Sequence, residues 1–439
     1  MQSAGSRAAN PLSSAVTKAG IRTLPLIGLA YLVAYMDRVN ISFAATQMNA
    51  DLGFSATVYG LGGGLFFLSY ALFEIPSNVL MLKVGPRVWI ARIMISWGLL
   101  SAAMMFVTTP ATFYALRFAI GLAEAGFFPA AVYYVSRWFP GEHRGRAISL
   151  FYLFGPLASA VMGWLSAWLL ALDGRQGLHG WQWLFLVEGL PAVALGFVVL
   201  AILPDEPATA GWLSDEERAA LLAALDADSR AMGGAPSHDI RSVLRNPRVQ
   251  WLAMMGALSI ASFYAFALSA PQILIDKTGE STATIGMLVS IGGLIGAATM
   301  LAAGWFMDWR RERFSALLLG TMVEGLALLV IAVSNDKGIV FAAYLAFAGS
   351  WTVVTLSQVA IWSDVLRDRQ LAIGAAAINT ASQIGAFASP LMFGMARDAT
   401  GNYTAGLLVL PAMLAGLFVL SLILMRRLDA QRREMALAI

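Results

Sequence analysis

The sequence has few charged residues for its length. Of its 439 residues, 13% are charged and 59% are hydrophobic, whereas an average soluble domain carries about 25% charged residues. Because a surface in contact with water needs charge, most of the surface of this chain must face lipid. The composition therefore predicts an integral membrane protein.

Cysteine is absent and histidine is scarce. Without cysteine the chain can form neither a disulfide framework nor a thiolate site. The three histidines, His143, His179 and His238, lie far apart and outside the apolar segments, so we expect no metal site built from them. We also expect no cofactor and no enzymatic activity.

Twelve apolar segments are long enough to cross a membrane as helices, which takes roughly 20 residues. The prediction is an all-α integral membrane protein with twelve transmembrane helices. The segments start near Leu24, Thr57, Val88, Thr112, Ala147, Trp183, Val249, Thr284, Ser315, Gly338, Leu371 and Tyr403.

Lysine and arginine are distributed unevenly among the loops. If the N-terminus is cytoplasmic, 23 of the 29 basic residues fall in cytoplasmic segments and four in outer loops. Such an excess marks the cytoplasmic side of a membrane protein. We therefore expect both termini in the cytoplasm, a location in the cell inner membrane, and no nucleic-acid partner despite a pI of about 9.2.

A polar stretch divides the chain into two parts. We expect a six-helix half over residues 1–203, a cytoplasmic linker over 204–248, and a second six-helix half with a short tail over 249–439. Within the linker, Ser214 and Glu217 have the spacing of a capping box at the start of an amphipathic helix.

The two halves repeat each other. Residues 78–87 have a counterpart in 304–313, and 144–148 have one in 369–373, both offset by about 225 residues. Parallel repeats of six helices predict a substrate site between the halves, near the middle of the membrane. The glycine cluster at 60–64 lies inside an apolar segment and predicts close helix packing, not a phosphate loop.

Several motifs carry a family resemblance that covers nearly the whole chain. Gly304, Asp308 and Arg313 resemble the glycine–aspartate–arginine loop of the major facilitator superfamily. Residues 34–42, 117–140 and 180–191 resemble its anion:cation symporter family, and especially bacterial carriers of tartrate, hydroxyphenylacetate, phthalate and nicotinate.

This resemblance implies a major facilitator fold, transport of an organic carboxylate, and a gating loop formed by Asp308, Arg313 and Arg87. The first half departs from the loop motif, because Leu82 stands where the superfamily has aspartate. The resemblance therefore implies that the first half lacks the gating contact made by this aspartate, whereas Asp308 keeps the second-half contact.

Several charged residues lie inside apolar segments of the first half, and the most informative are Asp37, Arg38, Arg117 and Glu124. Each costs roughly 2.5–3.5 kcal/mol at the bilayer centre on insertion scales, so each needs a role. The resemblance places the substrate anion on Arg38, and Arg117 beside Glu124. Two guanidinium forks facing one cavity would bind a carboxylate well.

Asp37 and Glu124 are the candidate proton carriers. Burial favours the neutral form of a carboxyl group and a nearby arginine favours its charged form, so a group between these influences can exchange a proton. A proton on either one would free the neighbouring arginine for the anion. The alternative is a static ion pair without substrate contact.

Side chains of other segments complete the predicted substrate site. Tyr70, Trp362, Asn379 and Gln383 match positions that line the site in similar carriers. Each of them could serve instead in helix packing or in an interhelical hydrogen bond. Tyr264 and Gln272 are less favoured candidates for the site. Two further buried acids, Glu74 and Glu188, are expected to pair with loop arginines. Glu324 has no evident partner in the sequence.

The function predicted from these features is proton-driven symport of an organic carboxylate by a monomer, powered by the proton gradient. Two alternatives stay open. An organophosphate or other anion exchanger of the same fold would pair arginines on the first and seventh spans, but the seventh span has none. A non-transporting membrane sensor would usually carry a large folded cytoplasmic domain, and the linker is short and polar.

Overall fold

The computed structural model describes residues 10–231, 240–310, 312–366 and 368–437. His238 and part of the predicted linker lie outside the described residues. The described chain is almost entirely helical, as predicted. The helices of the first half are α1 (Pro11–Leu52), α2 (Ala56–Val84), α3 (Pro86–Ala103), α4 (Pro110–Glu124), α5 (Phe127–Ser136), α6 (Gly141–Tyr152), α7 (Phe154–Leu170) and α8 (Gly180–Ile202).

A polar connection and a second set of helices follow. The connection contains α9 (Asp215–Ala231) and α10 (Ile240–Arg245). The helices of the second half are α11 (Pro247–Ala267), α12 (Ala270–Thr278), α13 (Thr282–Arg310), α14 (Arg313–Val333), α15 (Lys337–Val365), α16 (Asp368–Thr400) and α17 (Thr404–Leu437).

These helices form the twelve predicted spans in two halves of six. The fourth, fifth and seventh spans are each made of two consecutive helices: α4 with α5, α6 with α7, and α11 with α12. Among the described residues, eleven spans are apolar and long enough to cross a membrane. The twelfth is α16, which packs between α2 and α11 and has a lower mean hydropathy because its polar side chains face a cavity.

The first helix begins earlier than predicted. Its start at Pro11 lies well before Leu24, because the Asn10 side chain accepts the Leu12 N–H and caps the helix. The added turns are also tied to the linker, where Glu217 accepts hydrogen bonds from Ser14 and Lys18.

The predicted capping box at the start of α9 is confirmed. Ser214 Oγ accepts the Glu217 N–H, and the Glu217 carboxylate accepts the Ser214 N–H. Lys18 Nζ lies 2.7 Å from Glu217 Oε1. The hydrogen bonds from Lys18, Ser14 and Ser214 lower the pKa of Glu217 to about 2.

The fourth span breaks immediately after Glu124. Gly126 adopts φ +87°, a left-handed conformation that favours glycine, and a Cβ atom there would lie 2.4 Å from Ser77 Oγ. The carbonyl freed at Ala125 accepts a hydrogen bond from Ser77 Oγ (2.5 Å), which in turn accepts one from Trp89 Nε1 (3.0 Å). The break is thus satisfied by side chains of α2 and α3, as irregular backbone inside a membrane requires.

The halves meet closely at one end of the bundle, which we call the sealed end. There α2 crosses α16 and α7 crosses α13, and glycines allow both crossings. A Cβ atom at Gly60 would lie 2.2 Å from the Pro390 carbonyl oxygen, and one at Gly163 would lie 2.4 Å from the Gly286 carbonyl oxygen. The packing role predicted for the glycine cluster at 60–64 is confirmed.

Polar contacts reinforce the sealed end. The Asp398 carboxylate accepts the backbone N–H groups of Ala56 (3.1 Å) and Thr57 (2.8 Å), at the start of α2. A carboxylate at a helix N-terminus is favourable because of the unpaired N–H groups and the helix dipole. The Tyr59 hydroxyl donates to the Leu268 carbonyl (2.6 Å). Each of these contacts joins the first half to the second.

Candidate functional site

A cavity of about 940 Å³ lies between the two halves. Its lining on α2 falls within residues 70–78, and its lining on α16 within 375–383. On α2, residues 56–69, about 21 Å of helix, separate the cavity from the sealed end, but only 79–84, about 9 Å, separate it from the other end. The cavity therefore reaches towards that second end, which we call the open end.

Arg38 and Glu124 form an ion pair at the wall of this cavity. Arg38 Nε donates to Glu124 Oε1 at 2.7 Å, and Arg38 Nη2 lies 2.5 Å from the same oxygen. The Arg38 side chain is 16% exposed and lines the cavity, whereas the Glu124 side chain behind it is fully buried. Glu124 Oε2 has no hydrogen-bond partner among the described residues.

Arg117 does not share the cavity with Arg38. It is 2% exposed, its Nε donates to the Gly62 carbonyl at 3.4 Å, and its guanidinium lies 4.9 Å from the centre of the Phe66 ring. The expectation that two guanidiniums face one cavity is therefore wrong for this conformation. The cause is Phe66, whose ring also lies 5.7 Å from the Arg38 guanidinium and occupies the space between α1 and α4.

Asp37 and Arg38 point in different directions, because successive residues of an α-helix lie about 100° apart. Asp37 is buried and accepts hydrogen bonds from Ser101 Oγ on α3 and from Asn40 Nδ2 (3.2 Å). Both Arg117 and Arg38 are near enough to interact with its charge. The resemblance placed Arg117 beside Glu124, whereas in the structure Arg38 is the arginine that binds Glu124.

The four further residues predicted to line the site, Tyr70, Trp362, Asn379 and Gln383, all lie in the cavity wall. The Arg38 guanidinium lies 5.1 Å from the centre of the Tyr70 ring, a cation–π distance. Whether these side chains contact a substrate stays a prediction.

The expectation for Glu74 is wrong. It lies in the cavity wall, and its Oε2 accepts a hydrogen bond from Asn379 Nδ2 at 2.7 Å instead of pairing with a loop arginine. Glu188 is buried as well, and its carboxylate oxygens have no hydrogen-bond partner among the described residues. The same is true of Glu324, which lies on α14 away from the cavity.

Comparison with known proteins identifies the family. Residues 27–390 match the sequence model of the Major Facilitator Superfamily. The chain belongs to this superfamily. It is 40% identical over 412 residues to a protein of Agrobacterium vitis named "Putative tartrate transporter", with 93% of this chain and 94% of the relative covered. The resemblance to tartrate carriers is thus confirmed, and these relatives are transporters and not enzymes.

Two further comparisons agree with this assignment. The chain is 35% identical over 413 residues to a protein of Acinetobacter baumannii named "Quinolone resistance transporter", covering 94% of this chain and 95% of the relative. It shares its fold with a bacterial homologue of the human lysosomal transporter Spinster, solved in an inward-facing and occupied conformation. The TM-score is 0.75 at 15% identity, with 95% of this chain and 98% of the other covered.

The gating loop of this superfamily member uses a partner that the sequence did not indicate. Arg313 forms an ion pair with Asp364 near the end of α15 and donates to the Ala360 carbonyl at 2.6 Å. Asp308 is exposed, and the ion pair described for Arg313 is with Asp364. The expectation that Asp308 supplies the second-half contact is therefore not met in this conformation.

The first-half loop also differs from the motif. Arg87 Nε lies 3.5 Å from Asp205 Oδ2, and the Arg87 backbone N–H donates to Asp205 Oδ1 at 3.2 Å. Asp205 follows α8 and so belongs to the start of the linker. Leu82, which stands at the position of the motif's aspartate, has a 62% exposed side chain. It supplies no carboxylate to the loop.

Sequence reasoning found Tyr70 and Trp362 but missed the stacked aromatic rings in the wall of the transporter's cavity. Phe263 of α11 stacks on Trp351 of α15 with ring centres 3.8 Å apart, and Tyr264 lies 4.2 Å from Phe67. Tyr264, a less favoured candidate, does line the cavity, whereas Gln272 donates to the Ala45 carbonyl across the sealed end. A sequence signal for these rings was available: pairs of aromatic residues four positions apart, such as Tyr31 with Tyr35 and Phe347 with Trp351, lie on one face of a helix.

Proposed function

We propose that this transporter is a proton-coupled symporter that takes up an organic carboxylate by alternating access. The observation that carries the proposal is the Arg38–Glu124 pair, in which a cation faces the cavity and a fully buried carboxylate stands behind it. The relative named for tartrate, at 40% identity, supports a carboxylate as substrate.

Charge balance explains why such a pair would couple two fluxes. A buried ion pair is tolerated because its charges compensate each other, and one charge left without its partner is costly. A carboxylate that binds Arg38 while Glu124 stays charged leaves one negative charge in excess in a region of low dielectric constant. A proton arriving on Glu124 removes that excess, so anion and proton bind favourably only together.

Glu124, and not Asp37, is the proton carrier that the geometry favours. Glu124 directly binds the arginine that lines the cavity, and its buried Oε2 has no hydrogen-bond partner among the described residues and is free to accept a proton. Asp37 accepts hydrogen bonds from Ser101 and Asn40 on the side of α1 away from the cavity. We assign Asp37 a structural role beside Arg117.

The basic residues give the orientation of the protein in the membrane in this proposal. The open end is the end that holds Arg87 and Arg313, which the distribution of basic residues assigns to the cytoplasm. The conformation described here would then face inwards, ready to release its substrate into the cell. One chain encloses the whole cavity, so a monomer in the inner membrane would suffice.

The test is uptake of radiolabelled benzoate and tartrate into proteoliposomes, with and without an inwardly directed proton gradient. We expect the gradient to drive accumulation of at least one probe. Glu124→Gln should abolish gradient-driven accumulation while keeping counterflow exchange, and Asp37→Asn should keep both.

Three outcomes would overturn parts of the proposal. Unchanged accumulation in both variants would remove the proton role of these carboxyl groups. Loss of coupling in Asp37→Asn alone would move the proton to Asp37. Counterflow in the unmodified protein that ignores the proton gradient would favour an anion exchanger.

A further inference from the structure

The cavity holds little positive charge. Among the described residues that line it, Arg38 is the one cationic side chain and Glu74 the one carboxyl group. Arg38 is already paired with Glu124, and Arg117 lies behind Phe66. A substrate with one carboxylate matches this arrangement, whereas a second carboxylate would find no described cation to bind.

Glu74 lies where a second carboxylate of a substrate would have to pass. It is four residues beyond Tyr70 on α2, one turn or about 6 Å nearer the open end, and Tyr70 contacts the Arg38 guanidinium. Asn379 of the second half donates to Glu74 and holds its carboxylate at the cavity wall. A molecule that extends from Arg38 towards the open end therefore passes an acidic group.

The wall opposite Arg38 suits an aromatic ring better than a chain of hydroxyl groups. The stacked rings of Phe263 and Trp351 are inclined by 11°, and the Phe347 ring lies nearly parallel to that of Phe263 with the ring centres 6.1 Å apart. Tyr31 and Tyr264 line the same cavity as Arg38. Aromatic surfaces thus share the cavity with its one described cation, and stacking on them would stabilise an aromatic substrate.

From this arrangement we propose that the substrate is an aromatic monocarboxylate, and that Glu74 is the residue that rejects dicarboxylates. The proposal rests on the function proposed above and narrows it. The carboxylate binds Arg38, the ring lies against the Phe263–Trp351 wall, and Glu74 repels a second negative charge. Hydroxylated dicarboxylates such as tartrate would bind weakly despite the name of the relative.

The test uses three probes that separate ring from charge: benzoate, terephthalate and tartrate. Terephthalate differs from benzoate only by a second carboxylate on the far side of the ring. Binding to the purified transporter by calorimetry should give an affinity for benzoate about tenfold or more above that for either dicarboxylate, as expected for two like charges in a partly hydrated cavity.

Two variants test the role of Glu74. Glu74→Gln should raise the affinity for terephthalate about tenfold relative to that for benzoate, because the second carboxylate lies much nearer to the removed charge. Glu324→Gln is the matched control: it neutralises a buried carboxyl group away from the cavity and should alter neither affinity.

Three other results would each overturn part of the inference. Tartrate binding as tight as benzoate binding would overturn the aromatic assignment and leave carboxylate transport standing. Equal binding of benzoate and terephthalate by the unmodified protein would overturn the role of Glu74. If the transporter moves no carboxylate into proteoliposomes, the proposed function itself fails.

Discussion

The two ends of the bundle are held together by different kinds of contact. At the sealed end, backbone meets backbone at Gly60, and the Asp398 carboxylate holds the start of α2. Towards the open end, the hydrogen bond described between facing cavity walls is the one from Asn379 to Glu74. Where glycine lets two backbones touch, a change of side-chain rotamer can neither make nor break the contact. A single hydrogen bond between side chains is easily broken and re-formed. The sealed end therefore sets the conformation described here.

The largest expected effect comes from filling a glycine crossing. Gly60→Ala places a methyl group 2.2 Å from a backbone carbonyl of α16, and overpacking of this kind typically costs about 1–3 kcal/mol. We expect the sealed end to open and gradient-driven uptake to fall severely. Ser42→Cys introduces a single thiol into the cavity of a chain without cysteine, and its labelling from the sealed side should increase.

The matched control is Gly20→Ala, because a Cβ atom at Gly20 would have no atom within 4 Å. Both substitutions change helix propensity equally. Equal behaviour of the two variants would show that glycine crossings do not hold the sealed end.

The next effect concerns the carboxylate at the start of α2. Asp398→Asn removes a charged acceptor from the N–H groups of Ala56 and Thr57, a loss of about 0.3–2 kcal/mol. We expect a moderate rise in labelling of the Ser42→Cys thiol from the sealed side. Asp336→Asn removes a similar cap within one half, on Ile339, and should leave labelling unchanged.

A smaller effect is expected from the bridge near the open end. Asn379→Ala removes the hydrogen bond to Glu74, and it should slow closure of the open end without altering the sealed end. Labelling of the Ser42→Cys thiol from the open side should rise slightly. Gln383→Ala, one turn deeper on α16, is the control, and an equal response would show that the bridge to Glu74 has no part in closure.

The smallest effect lies outside the membrane. Because the pKa of Glu217 is lowered to about 2, its stabilising contact with Lys18 is fully present above the ordinary pKa of about 4.5 and is lost as the pH falls towards 2. Thermal unfolding should show a small stability difference between the unmodified protein and Glu217→Gln. That difference should stay constant from pH 7 to pH 5 and disappear near pH 2. A difference that changes between pH 7 and pH 5 would contradict the contact.

Much of the fold could be predicted because a helix that crosses a membrane needs a long run of apolar residues. Long apolar segments gave the number of spans, and even α16 was found despite its polar cavity face. The break after Glu124 was not predicted, because a glycine within a span is also common in unbroken helices. Its recognition needs the partners Ser77 and Trp89, which come from other helices.

The residues that form the site could be predicted better than the ion pairs between them. Composition identifies charges that lipid should exclude, so Asp37, Arg38, Arg117 and Glu124 could all be found. Which carboxylate binds which arginine depends on helix rotation and on the volume of Phe66, and neither is visible in spacing alone. Asp364 was missed for a related reason, since its contact with Arg313 joins two helices whose relative position the motif does not specify.

The break in the fourth span also has an electrostatic consequence. Glu124 is the last residue of α4, and a helix C-terminus carries a partial negative charge of about half an electron. Arg92 already donates to the Ala123 carbonyl there, at 3.4 Å. This partial charge comes from backbone dipoles and does not titrate. In the proposed transport cycle, α4 would therefore keep attracting Arg38 after Glu124 takes up a proton, and the guanidinium would stay at the cavity wall to receive the anion.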